Sequence, residues 1–331
     1  MKTTRNSKSV MSILEHMVKI LLSSFERGGP ICCIGPPGNN PAIPGSARPA
    51  TGAAALRDTR SAFSRCALAA GLLAAGGLFF TAANARAEEK LTARQIMEKS
   101  ADNRRVEGLE AVMTMVIYNA KGEKRVRQIA MATKLYDNGK TEKKLNRFLS
   151  PADVKGTGLL TYDYEVKDDD IWLFMPALRK TRRIVSSEKS KNFMGSEFAY
   201  VDMNIPNLDD YNYKMLKEEK LGGTDCWVMQ STPKNEDIAD ENGYSKQIAW
   251  IGKKDFTARK VVYYDLDGEV FKELTASKVK QIDSEGKHFR PMKMEMVNKQ
   301  NRRRTTMTFD KLEVSKKVKD EYFTTRYLER F

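Results

Sequence analysis

Residues 91–131 read LTARQIMEKSADNRRVEGLEAVMTMVIYNAKGEKRVRQIAM, and the period of this stretch changes part-way along. Thr92 stands where a helix N-cap belongs and Gln95 three positions later, the pair that makes a capping box. Leu91 and Ile96 are spaced for a hydrophobic staple across the same turn, so a helix is predicted from Thr92 to about Val106. Beyond Leu109 the repeat falls to two: Ala111, Met113, Met115 and Ile117 share one face of a strand. Asn119–Gly122 reverses the chain. Residues 123–136 return with Val126, Gln128 and Ala130 alternating against Arg125, Arg127, Ile129 and Met131. One capped helix leads into a hairpin, and the hairpin chemistry recurs to the end of the chain.

Turn dipeptides carry it on. Asn138-Gly139, Asn242-Gly243 and Asp267-Gly268 are hairpin signals, and Gly222-Gly223 and Ser284–Gly286 mark two further reversals. Between them 226–231, 245–251, 259–265, 269–282, 289–298 and 305–314 read as strands. Roughly ten strands at hairpin spacing with no alternating helices predict an α+β fold, mainly antiparallel β. A short helix is expected after Pro206 and another within 320–331. No linker or internal repeat divides residues 88–331, which are read as a single domain.

Upstream lies an export signal. Arg57, Arg60 and Arg65 form a basic region, and Cys66–Phe80 is an apolar run of fifteen residues. Ala85-Arg86-Ala87 supplies a small-x-small cleavage site, so the mature chain is expected to begin at Glu88. Fifteen helical residues reach about 22 Å, short of a hydrocarbon core of about 30 Å, which favours a cleaved signal over an anchor. Cys66 opens the run instead of closing it, against lipidation there. Residues 1–56, rich in Gly, Pro and Ala over 35–55, are read as a disordered extension or the product of a start assigned too far upstream.

The full chain holds 57 Lys and Arg against 43 Asp and Glu. Residues 1–87 contain ten of the basic and three of the acidic ones, which leaves residues 88–331 with 47 basic residues, 40 acidic ones and a net charge of +7. That balance is solubilising and is no nucleic-acid footprint. Enzyme signatures are sparse. His288 is the one histidine after residue 87, in a hairpin, and the single remaining cysteine, Cys226, precedes Trp227 in an apolar strand. Neither a zinc site nor a His-based nucleophile pair can be assembled from them. Asp168–Asp170 and Asp209-Asp210 read as turn residues, not a cation site, and Arg302–Arg304 as a solvated strand end. No catalytic residue, metal or cofactor is assigned.

Two features remain. Thirteen of the 16 methionines lie beyond residue 87; Met113 and Met115 share one strand face, and Met292, Met294 and Met296 another. Methionine is pliable enough to line a surface for varied apolar ligands. The second is 171–202. Ile171-Trp172-Leu173-Phe174-Met175 is apolar on both faces, Pro176 ends it, and Arg179, Arg182 and Arg183 come next. Then comes Phe193-Met194-Gly195-Ser196-Glu197-Phe198-Ala199-Tyr200. Trp172 and Phe174 are expected to face a covering helix, since aromatics bury the most area.

The pattern Trp172-x-Phe174-x-Pro176-Ala177 with Arg182-Arg183-Ile184, then Phe193-x-Gly195-Ser196-Glu197-Phe198 and Tyr200, resembles the outer-membrane lipoprotein-sorting family of LolA-like proteins. Phe174 and Ala199 stand where relatives often carry tyrosine and a polar residue. The resemblance spans about Leu91 to Phe331. It implies a LolA/LolB-like curved half-barrel sheet wrapped around a helical lid, with an apolar cavity between them. It further implies a periplasmic carrier, in a Gram-negative bacterium, of lipid or lipid-modified protein with transient membrane contact. An RND-type inner-membrane exporter is an implied partner, and a structural accessory of such an exporter is the alternative reading. Trp172, Phe174, Met175, Phe193, Phe198, Tyr200, Met113, Met115, Met292, Met294 and Met296 are the candidate cavity walls. Arg179, Arg182 and Arg183 are candidate contacts for an anionic head group or a partner.

Overall fold

Thr92 does cap the first helix. In the computed structural model, which describes residues 90–330, its hydroxyl accepts from the Gln95 amide at 3.2 Å, and the Gln95 side chain accepts from the Thr92 amide at 2.8 Å. The helix, α1, covers Ala93–Asp102 and so stops short of the expected Val106. Asn103 ends it. This buried side chain donates to Thr257 Oγ1 and the Phe289 carbonyl and accepts from the Phe289 amide, which ties the helix end to the sheet and turns the chain. The expected leader, including Ala85 and Ala87, lies outside the described residues.

Thirteen antiparallel strands form one sheet, three more than the turn signals suggested. They are β1 (Gly108–Tyr118), β2 (Lys124–Tyr136), β3 (Thr141–Ser150), β4 (Gly158–Tyr164), β5 (Asp170–Met175), β6 (Lys180–Ile184), β7 (Tyr211–Leu221), β8 (Thr224–Pro233), β9 (Lys246–Gly252), β10 (Ala258–Tyr264), β11 (Val270–Gln281), β12 (Phe289–Asn298) and β13 (Arg304–Val314). Two further helices are α2 (Glu236–Asn242) and α3 (Thr325–Leu328), and the chain after Pro206 makes only a single tight turn at Leu208–Asp210. Asn242-Gly243 does not join two strands directly. It closes α2, where Asn235 caps the start and Gly243, at φ +73°, donates back to the Ala239 carbonyl at 2.7 Å.

The strand order is β6-β5-β4-β3-β2-β1-β13-β12-β11-β10-β9-β8-β7, and the sheet is curved and unclosed. Every neighbour pair is consecutive in sequence except β1 and β13, which pair from Leu109 opposite Val314 to Tyr118 opposite Arg304. The two edge strands, β6 and β7, are therefore also consecutive. Residues 185–210 must carry the chain from one edge to the other, and they do so across one face.

That face carries the main core. Leu109, Ala111, Met113, Met115 and Ile117 of β1 meet Ile129, Phe148, Leu173, Met229, Ile251, Met296 and Met307 from the other strands, with Ile96 of α1 and Phe193 from the crossing connection packed on them. Among the described residues, a second apolar cluster covers the opposite face over β2–β5. There Ala130, Leu145, Leu149, Leu160 and Phe174 pack under Val318, Tyr322, Phe323 and Leu328 of the C-terminal segment. Arg147, on β3, holds this cover by donating to the carbonyls of Tyr327, Leu328 and Arg330 at 2.8–3.0 Å.

The cover fits closely at Gly158, where a Cβ would stand 2.6 Å from Leu328 Cδ1. Gly158→Val is expected to cost about 1–3 kcal/mol by overpacking, read as a lower urea midpoint with unchanged slope.

Candidate functional site

The connection from β6 to β7 is where the sequence pattern and the topology meet. Its central turn needs left-handed backbone: Met194 has φ +50° and Gly195 φ +74°. The Phe193 amide donates to the Phe198 carbonyl at 2.7 Å, closing a tight loop, and Asn192 and Ala199 form an isolated antiparallel bridge. Ser196 stabilises the same loop from inside, its hydroxyl accepting from the Phe198 amide at 3.2 Å. Phe193, Phe198 and Tyr200 are thereby aimed into the sheet as a plug. Phe193 is fully buried, 5.8 Å from the Phe148 ring and 5.7 Å from Tyr200.

Side chains from both halves of the sheet pin this plug. Arg127 of β2 donates to the Met194 carbonyl, and Lys144 of β3 to the Met203 carbonyl at 2.9 Å. From the other side Asn298 of β12 donates to Glu197 Oε2 at 3.0 Å, and the Glu197 amide donates to Thr305 Oγ1 of β13 at 2.9 Å. The Glu197 carboxylate has no solvent exposure, and Arg303 approaches its other oxygen at 3.0 Å from a half-exposed position. Asp202 accepts from the Ala199 amide at 2.8 Å and from the Tyr244 hydroxyl. Burial raises the Asp202 carboxyl and lowers the buried Lys272 ammonium, each opposed by the other's charge. The plug is thus latched by polar contacts and not by strand pairing.

The candidate walls divide between the two faces. Met113, Met115 and Met296 are buried in the main core, with Met175, Met292 and Met294 half-buried beside them. Trp172 and Phe174 correct the expectation that they face α1. Strand alternation puts Ile171, Leu173 and Met175 on the main core, which sends Trp172 and Phe174 to the other face beneath the C-terminal cover. Trp172 packs edge-on to Tyr162 there, with ring centroids 5.0 Å apart. The three arginines do not converge either. Arg182 pairs with Glu188 at 2.7 Å, Arg183 with Asp170, and Arg179 sits exposed at φ +48° in the turn before β6.

Sequence reading missed the latches. Arg303 is not a solvated strand end but the ion-pair partner of Glu197. Arg127, Lys144, Asp202, Lys272 and Asn298 carry no motif, and strand periodicity does not single them out. Other chemistry-bearing residues are used structurally. His288 Nδ1 lies 3.3 Å from the Asn103 carbonyl at the end of α1, and Asp169 accepts from the Asn204 amide side chain at 2.7 Å. Cys226 is buried, with burial pushing its thiol up.

Removing Arg303 leaves the Glu197 carboxylate buried with Asn298 as its side-chain donor and the buried Lys272 as an attracting charge. Arg303→Ala is expected to cost about 1–3 kcal/mol, and adding Glu197→Gln to recover part of it because position 197 then buries no charge, measured by urea unfolding of both variants. A second anchor is Asp163, which accepts from the Ile205 amide at 3.1 Å and lies near Lys144, Glu142 and Asp169. Burial pushes its carboxyl up to about 7, opposed by Lys144. An acid raised in the fold contributes stability while protonated, so this contribution is lost as pH rises from about 4 towards 7. Asp163→Asn is expected to flatten the fall in stability between about pH 4 and pH 7, tracked by thermal melts across that range.

A family model whose description reads "-like: Uncharacterized protein" matches residues 140–330. Curated protein sequences give no match. Among solved structures, a putative outer membrane lipoprotein-sorting protein domain from Vibrio parahaemolyticus is 32% identical, with a TM-score of 0.65 over 72% of this chain and 100% of that one. A domain-of-unknown-function family protein from Desulfovibrio piger is 28% identical, with a TM-score of 0.66 over 71% of this chain and 97% of that one. A LolA superfamily protein from Nitrosomonas europaea, 18% identical, shares the fold with a TM-score of 0.56 over 72% of this chain and 100% of its own. With 32% identity over the whole Vibrio domain, the chain belongs to the outer-membrane lipoprotein-sorting family, and it has the fold of the LolA superfamily protein.

Proposed function

We propose that the protein is a non-enzymatic periplasmic carrier that shelters the acyl chains of a lipid or lipid-modified protein between its sheet and the plug of residues 193–200. The observation that carries this reading is a methionine-rich apolar sheet face closed by a connection that polar latches, and no strand pairing, hold in place. A face closed this way can open without breaking the sheet. The exchange is also nearly balanced. Burying a phenylalanine is worth about 1.5–3 kcal/mol and each methylene about 0.8, so roughly two to four methylenes replace one displaced plug aromatic. Methionines at 113, 115 and 296 can repack around either occupant.

Two further facts support the reading. The leader from Arg57 to Ala87 has the order of an export signal, which suits a periplasmic site of action. The similar Vibrio domain is described as a putative lipoprotein-sorting protein. Residues that a hydrolase would need are engaged in fold contacts, as at His288 and Cys226.

Native mass spectrometry of protein taken from its own periplasm is expected to show an acyl-bearing molecule bound one to one, displaced by a fluorescent fatty acid. Arg303→Ala, by loosening the plug, is expected to raise the probe's association rate several-fold. Protein that arrives ligand-free and binds no probe would exclude the carrier.

A further inference from the structure

We propose that an open cleft between the β3–β4 loop and the β5–β6 turn is the mouth through which a single acyl chain with an anionic head reaches the plugged face. The proposal rests on the carrier reading and adds where the ligand enters and which end is held outside.

The cleft has a volume of about 350 Å³ and is walled by Val154, Met175, Pro176, Ala177, Leu178 and Met194. That is the low end of ligand-site volumes, about 300–1,000 Å³, and suits one chain better than several. Three of its walls are shared with the interior: Val154 belongs to the main core, and Met175 and Met194 line the cleft and also pack against that core. Met194 belongs to the plug itself, so the cleft floor is the part of the plug that must move for the face to open. Leu178 stands 59% exposed at the lip, an apolar side chain that the fold leaves in water.

Charge is placed at the same mouth. Lys155 lines one side; Arg179 and Lys180 come directly after the Pro176–Leu178 turn and are exposed. Asp153 also lines the cleft, and Arg127, which holds the Met194 carbonyl, lies close enough to offset it. The balance at the rim is cationic around an apolar floor. A carboxylate head on an alkyl chain matches both parts, and β6 as an edge strand leaves the approach open from the side.

The test uses the full secreted chain and palmitic acid carrying a diazirine near its methyl end. Brief irradiation during association is expected to place adducts on 152–157, 175–178 and Met194. Ala177→Trp, which fills the cleft, is expected to slow association about tenfold, and Leu178→Asp at the exposed lip to do the same without a packing change. Arg179→Glu/Lys180→Glu is expected to weaken palmitate but not hexadecanol, and phosphatidylglycerol vesicles to compete less well than palmitate. Wild-type binding with adducts only elsewhere, or unchanged association in both cleft variants, would overturn the mouth and leave the carrier standing. Equal weakening of hexadecanol would overturn the anionic head, and stronger competition by vesicles the single chain. No binding of the probe to wild type would overturn mouth and carrier together.

Discussion

The pairing of β1 with β13 is the contact on which the rest of the molecule depends. It joins the first strand to the last in the middle of the sheet, so the chain grows outward to β6, crosses, and grows back inward from β7. Thirteen strands at about 4.8 Å span roughly 58 Å, and residues 185–210 can reach about 85 Å when extended. The crossing is therefore long enough to span the sheet with slack, and the slack is what folds into the Phe193–Tyr200 turn. Had β6 and β7 paired with each other, the sheet would be a closed barrel and nothing would need to lie across it. The open edge and the plug have one cause.

A plug of aromatics on an apolar face has no intrinsic register, since hydrophobic contact is non-directional. The buried polar groups supply it. Glu197 meets Asn298, Thr305 and Arg303 from one half of the sheet, while Arg127 and Lys144 take backbone carbonyls from the other. Taking these charges out of water costs as much as or more than an apolar replacement would, so their contribution lies in position more than in stability.

The helix cap, five of the six reversals and most strands on the C-terminal half were legible in the sequence, because each rests on local chemistry. Thr92 and Gln95 satisfy each other within one turn, and the Gly at 139, 222, 223, 268 and 286 all adopt positive φ. What stayed hidden rests on partners far along the chain. β3 reads TEKKLNRFLS because Glu142, Lys144, Asn146 and Arg147 are buried against other elements, so its alternation of apolar and polar residues is erased. β7 hid for the opposite reason, as an edge strand whose surface is mostly water-facing. The latches could not be read at all, since Arg303 looks like any surface arginine until Glu197 is known to lie beneath it.

Both halves of the family pattern then find separate duties. Trp172 and Phe174 anchor the C-terminal cover on one face, and Phe193, Phe198 and Tyr200 fill the other. The division of duties has its origin in β5, which lies one place in from the edge and is apolar on both sides, so it has two faces to bury. Pro176 stops that strand and Arg179, in a left-handed conformation, reverses it into β6, from which the crossing departs. The plug is thus tied in sequence to the turn next to β5, while Trp172 and Phe174 hold β5 from behind through contacts that the plugged face does not share. The covered face thus fixes β5 independently of what lies on the other side of the sheet.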